Sequence, residues 1–196
     1  MMRYIAVALA LLIAGSRLAE GQTMNNLKGK KVVMIIAGRD FRDEEFTEPY
    51  ETLKTAGADV RVASSAKGQA QGMLGKVAAV DLTLADVVAA NYDAVIFVGG
   101  QGATEYFSNP AAHRIAKATV DGGKLLCGIC IAPATLANAG VLKGKKATCF
   151  PSVAGTLRKA GATVVKEGVV QDGKLITADG PQSARAFARA IAAALE

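Results

Sequence analysis

From Lys30 onward, short apolar runs alternate with amphipathic stretches, and a turn residue closes nearly every one. "KKVVMIIAG" (Lys30 to Gly38) is apolar almost throughout, the mark of a strand covered on both faces of a parallel sheet. "DEEFTEPYETLKTAG" (Asp43 to Gly57) reads as a helix: acids fill its first turn, Phe46, Tyr50 and Leu53 share a face, and Gly57 stops it. Pro49 inside it predicts a kink. "ADVRVAS" (Ala58 to Ser64) alternates as a strand, and the Gly-rich stretch from Lys67 to Val80 reads as a hairpin-like excursion. "DAVIFVGG" (Asp93 to Gly100) is a further buried strand, and "NPAAHRIAKATVDGG" (Asn109 to Gly123) a helix. "KLLCGI", "APATLANAG", "KKATCF" and "SVAGTLRKAG" continue as strand, helix, strand and helix. "TVVKEGVVQDGKLITA" reads as two short strands around an Asp-Gly turn, before an amphipathic helix closes the chain.

This order implies an α/β fold, a mostly parallel sheet with helices on both faces. Ligands of such sheets sit at the carboxyl ends of the strands. Three strand ends therefore matter: Ala37–Phe41, Val98–Gly102 and Ile129–Ala132. The 196 residues suffice for one sizeable core and are too few for two. The net charge of +6 comes from scattered Lys and Arg. The two "LKGKK" segments (Leu27 to Lys31, Leu142 to Lys146) precede strands without interleaved aromatics, so they read as solvated turns and nucleic acid is excluded as a partner.

Residues 1–23 stand apart. A basic start at Arg3 leads into an apolar run from Tyr4 to Gly15 and then small and polar residues, the layout of a signal peptide. The run is too short to span a bilayer. Cleavage after Ser16 or near Ala19 would release an exported, periplasmic or secreted domain over 24–196 with no membrane span. The alternative is translation from Met24 and a cytoplasmic protein.

Cys130 sits at the junction of a strand and a helix, with Gly128 and Ala132 two positions to either side. A nucleophile elbow needs small residues there, because the turn is sharp and strained. The geometry is expected to aim the Ile131 and Ala132 amides at the sulfur and to lower its pKa. Cys127, in the redox-like "CGIC", lies within the apolar strand and reads as core. Cys149, ending the next strand segment, is placed near Cys130. "GGQGA" (Gly99 to Ala103) lacks the Lys-Ser/Thr of a phosphate loop, but Gly100 can offer an N–H to an oxyanion hole together with Ile131. The acidic cluster "RDFRDEEF" (Arg39 to Phe46) faces the same region.

With "FRDEEFTEPY", "DAVIFVGGQGA", "GICIAPATLANAGVLKGKKAT" and "ITADGPQSARAFARAI" in place, the chain resembles the ThiJ/PfpI superfamily from about Lys31 to Leu195. The resemblance implies a flavodoxin-like three-layer sandwich of the class I glutamine amidotransferase type, and a homodimer. It puts Cys130 on the family's reactive cysteine, Glu45 rather than Glu44 on the glutamate that bonds its sulfur, and Gly100 and Ile131 on the oxyanion-hole amides. It implies no metal and no cofactor. Two departures matter. Where PfpI-type hydrolases carry a histidine after the cysteine, this chain has Ile131, and where the deglycase branch has one before a proline, it has Phe150. The single histidine, His113, lies in a helix and reads as a surface residue.

The partner expected of such a pair is a small electrophile or an oxidant. Three functions fit: a glyoxalase- or deglycase-like enzyme on small reactive carbonyls, a non-enzymatic redox or stress sensor using Cys130, and a cysteine peptidase or amide hydrolase. The first two need the same two residues, and the sequence does not decide between them. The missing histidines weigh against the third, because a Cys–His mechanism then has no base.

Overall fold

The apolar run after Lys30 becomes the middle of the sheet in the computed structural model, which describes residues 26–196. The expected signal peptide lies outside those residues. The chain runs β1 (Lys31–Ile35), β2 (Arg39–Phe41), α1 (Asp43–Thr55), β3 (Asp59–Ser64), β4 (Gly68–Gly72), β5 (Val77–Val80), β6 (Leu82–Thr83) and β7 (Ala94–Phe97). It continues with α2 (Pro110–Asp121), β8 (Leu125–Ile129), α3 (Pro133–Asn138), β9 (Lys146–Ala147), α4 (Ala154–Lys159), β10 (Thr163–Val164), β11 (Val169–Asp172), β12 (Leu175–Ala178) and α5 (Ala184–Leu195).

Seven strands form the main sheet in the order β11-β12-β8-β7-β1-β3-β6. Every pair is parallel except β11 with β12, the hairpin built on the Asp-Gly turn. Side chains alternate across the sheet as the pleat requires. Val32 and Met34 of β1 join Phe46, Leu53, Phe187 and Ile191 in the core under α1 and α5. Val33 and Ile35 face the other way, with Ile115, Leu136 and Leu157 of α2, α3 and α4. This is the expected flavodoxin-like three-layer sandwich. Among the described residues no helix is long and apolar enough to cross a membrane.

The direction of winding reverses at β1, which has β3 on one side and β7 on the other. Such switch points open a crevice at the carboxyl ends of the strands. Two local readings change here. "KKATCF" gives only two residues to a small separate sheet with β10. Its amides are taken by side chains of the neighbouring hairpin: Lys146 N–H donates to Asp172 Oδ2 at 2.8 Å and Thr148 N–H to Thr177 Oγ1 at 2.9 Å. The segment Arg39–Phe41, read as the loop after the first strand, is itself a strand, pairing with β4 of the β4–β5 hairpin. Asp43 locks that hairpin to the start of α1 by accepting from Leu74 N–H at 2.9 Å and Lys76 N–H at 2.7 Å. Helix α1 continues through Pro49, whose absent N–H leaves the Glu45 carbonyl without its usual i+4 donor.

Candidate active site

Cys130 follows β8 directly and has φ +64°, a left-handed conformation rare and costly for a non-glycine residue. The surroundings hold it there. Its N–H donates to the Ala178 carbonyl at 2.9 Å, and its own carbonyl accepts from Phe150 N–H at 2.8 Å. A Cβ at Gly128 would meet Leu136 Cδ1 at 3.0 Å, so the small residue expected beneath the elbow is needed for packing. The Ala132 amide does not reach the sulfur as expected: it donates to the Ile129 carbonyl at 3.1 Å. The amides that face the Cys130 thiol are those of Gly100 and Ile131.

Glu45 reaches the same sulfur from the first turn of α1. The Arg42 N–H donates to the Gly99 carbonyl at 3.0 Å, which ties the start of that helix to the end of β7. In return the Gly99 N–H donates to Glu45 Oε2 at 3.1 Å. Glu45 is 0% exposed, and its Oε1 has no hydrogen-bond partner. Its carboxyl is close enough to the Cys130 thiol for each group to shift the protonation of the other. Between them stands Gly99, where a side chain would collide with Glu45 Oε2 and come within 2.6 Å of Cys130 Cβ. Gly100, at φ +98°, lies so close to the Arg42 amide and the Asp40 carbonyl that it too must be glycine.

Burial sets the protonation of this pair. It drives the Glu45 carboxyl up to about 7, against the lowering pull of the Cys130 and Gly99 hydrogen bonds. Burial first and the facing Glu45 charge second push the Cys130 thiol up to about 12, while the Gly100 and Ile131 amides pull it down. The pair releases one proton near neutrality and keeps the other to strongly alkaline pH, so a single negative charge is shared between the two groups. The expected lowering of the Cys130 pKa by a helix N-terminus is thus corrected. Cys130 is only 8% exposed and its thiol faces a carboxylate, and α3 spans only six residues.

The other acids differ in kind. Glu44 is held below the usual carboxylate range by its hydrogen bonds to Arg42, at 2.8 and 3.0 Å. Glu48 pairs with Arg185 at 3.2 Å on the surface. Cys127 is 0% exposed within β8, and its thiol is pushed well above the ordinary range by burial alone. Cys149 is buried and raised to about 11. All three cysteines are free thiols. Cys149 is adjacent to Cys130 through the Phe150 backbone bond, yet the two residues belong to different apolar clusters. His113 is half-buried rather than on the surface, with Nε2 2.9 Å from the Phe107 carbonyl.

Against known proteins, the profile of the DJ-1/PfpI family matches residues 30–194. The chain belongs to the DJ-1/PfpI family. It is 40% identical over 195 residues to an uncharacterized protein of Methanocaldococcus jannaschii, covering 98% of this chain and 95% of that one. It is 33% identical over 157 residues to a deglycase of Pyrococcus horikoshii, covering 80% and 95%. The crystal structure of a ThiJ/PfpI domain protein from Brachyspira murdochii superposes with a TM-score of 0.83 at 33% identity, over 86% of this chain and 97% of that one.

Sequence reasoning named Cys130, Glu45, Gly100 and Ile131, and the fold brings these four together. It missed two residues that make the meeting possible. Gly99 was visible only as half of a Gly-Gly pair, with nothing local to show that an acid 54 positions earlier in the chain would press on it. Arg42 was visible only as one charge in a charged loop, although it separates Glu44 from Glu45 in function. At the first turns of α1, a cavity of about 370 Å³ is lined by Arg42, Glu44, Glu48, Pro181, Gln182 and Arg185, and by neither Cys130 nor Glu45.

Proposed function

We propose that this protein is a cysteine-dependent enzyme acting on small reactive carbonyls, in the manner of a glyoxalase or deglycase. The reading is carried by the buried Glu45 carboxyl set against the Cys130 thiol, with the Gly100 and Ile131 amides facing the same sulfur. Deglycase-named relatives over four-fifths of the chain support it.

For a 2-oxoaldehyde the steps balance without any oxidant. With the shared proton on Glu45, the Cys130 thiolate adds to the aldehyde carbon. A C–S bond forms, the carbonyl π electrons move to oxygen, and that oxygen takes the proton while the Gly100 and Ile131 amides stabilise its charge. Glu45, now a carboxylate, takes the hydrogen from the former aldehyde carbon to give an enediol and returns it to the neighbouring carbon, while the hydroxyl proton passes from the first oxygen to the second, leaving a 2-hydroxyacyl thioester. Water cleaves the thioester and restores the thiol. A carboxyl titrating near 7 is matched to both directions of this transfer.

A second reading, reversible oxidation of Cys130 in a sensor, rests on the same two residues, because protonated Glu45 would donate to an oxidised sulfur. Methylglyoxal turnover separates the two. Formation of lactate that is lost in Cys130→Ser supports the enzyme; no turnover, with oxidation confined to Cys130 under peroxide, supports the sensor.

A further inference from the structure

Phe150 follows the short strand next to the elbow, and the fold ties it to the reactive residue. Its N–H is bonded to the carbonyl of the nucleophile itself, Cys130, at 2.8 Å. Pro151 follows, which disfavours the helical region for the residue before it, and Phe150 is held at φ −58°, ψ 138°. The backbone that carries the ring is therefore tied to the elbow. The ring is 43% exposed, whereas Phe41, Phe46, Phe97 and Phe187 are buried. Its Cδ2 lies 3.6 Å from the position a Cβ would take at Gly180. Gly180 comes two residues after Ala178, whose carbonyl accepts the Cys130 N–H at 2.9 Å. Pro181 and Gln182, the next residues, line the cavity at the start of α1. Phe150 is thus joined to the elbow through its backbone and packed through its ring against the segment that leads into that lining.

An exposed phenylalanine on an open surface needs no explanation. One tied by its backbone to the reactive residue, with its ring laid against Gly180, is different, because it offers an apolar face next to the residue that would hold the substrate. We propose that Phe150 is a specificity-determining residue that selects carbonyl substrates bearing an aromatic or other flat apolar substituent beside the reacting carbon. This rests on the carbonyl-directed reading above and names its substrate class. The ring offers no proton and no charge, so it acts by excluding water from the substituent and by stacking or edge contact with it. Such contacts support roughly a three- to tenfold preference.

Two measurements test it, one of which needs no turnover. In the first, kcat/KM for phenylglyoxal is compared with that for methylglyoxal in the wild type, Phe150→Leu and Phe150→Ala. The second compares alkylation rates at Cys130 by phenacyl bromide and bromoacetone, read by peptide mass spectrometry and normalised to glutathione. The expected result is an aryl preference of roughly three- to tenfold in the wild type, smaller in Phe150→Leu and absent in Phe150→Ala. A normalised ratio of one in the wild type, or one unchanged in both variants, overturns the inference. Failure of both glyoxals to turn over while the alkylation preference persists would refute the enzymatic reading and leave the selectivity of Phe150 standing.

Discussion

The N–H of Gly99 donates to Oε2 of Glu45 over 3.1 Å, linking the end of β7 to an acid on α1 whose other oxygen, Oε1, has no hydrogen-bond partner. The bond holds the carboxyl beside the Cys130 thiol, and only a residue without a side chain fits between them. Gly99→Ala should therefore fail in both respects. Its methyl would collide with Glu45 Oε2 and stand within 2.6 Å of Cys130 Cβ, so the acid and the sulfur must part. Overpacking of this kind costs about 1–3 kcal/mol, and each kcal/mol lowers the Tm by about 2–4 °C in a chain of this size. Thermal denaturation and methylglyoxal turnover should both fall. An unaltered Tm with full activity would show that the pair is not held as described.

Glu45 makes stability depend on pH in a definite direction. Its folded pKa of about 7 stands above the ordinary 4.5, so the native state retains a proton that the unfolded chain has released. The stabilising proton is fully present below 4.5 and its contribution is lost as pH rises to about 7, after which this group adds no further change. The loss amounts to about 3 kcal/mol. Denaturant unfolding of the wild type and Glu45→Gln across that interval should give diverging curves, the wild type falling relative to the variant. Parallel curves would mean that Glu45 ionises freely in the native state.

The neighbouring acids should not behave alike. Glu44 is occupied by Arg42 at 2.8 Å and Glu48 by Arg185 at 3.2 Å, and both of those pairs are at the surface. Exposed pairs contribute about 0–1 kcal/mol. Iodoacetamide alkylation of Cys130 in the wild type should rise through pH of about 7, where the pair acquires its shared charge. Glu45→Gln should abolish that inflection and move the rise to the alkaline side, while Glu44→Gln keeps it. Loss of the inflection in Glu44→Gln as well would undo the distinction between the two residues.

How much of this was legible beforehand follows from what each signal depends on. Buried strands such as Val32–Ile35 and helix faces such as Phe46–Leu53 are written in local periodicity, and both came through. The elbow was legible because strain at Cys130 demands small residues at fixed offsets, Gly128 and Ala132. The protonation of the pair was not legible. Cys130 and Glu45 lie 85 positions apart in number, and their pKa values are set by burial that exists only after folding. The short strand Arg39–Phe41 was hidden for the same reason, since its partner is the later segment Gly68–Gly72. "KKATCF" misled because strand propensity cannot show that Asp172 and Thr177 side chains will claim its amides.

Peptide cleavage should be absent. Breaking an amide by a cysteine needs a base to activate the thiol and an acid to protonate a poor amine leaving group, help worth roughly a hundred- to ten-thousand-fold. Neither residue flanking the elbow where the family resemblance would set a histidine can supply it, because Ile131 and Phe150 have no titratable group. His113 is committed elsewhere: its Nε2 lies 2.9 Å from the Phe107 carbonyl, which also accepts from Asn138 Nδ2 at 2.8 Å. Glu45 already shares its proton with the sulfur, which leaves it badly placed to deliver one to a departing amine as well. Carbonyl addition makes no such demand, because the alkoxide it creates is the group that takes the proton. Casein and unstructured peptides incubated with the pure protein should therefore show cleavage no faster than the buffer. Robust cleavage that disappears in Cys130→Ala would mean that another residue acts as the base, and the pH profile of that activity would identify its type.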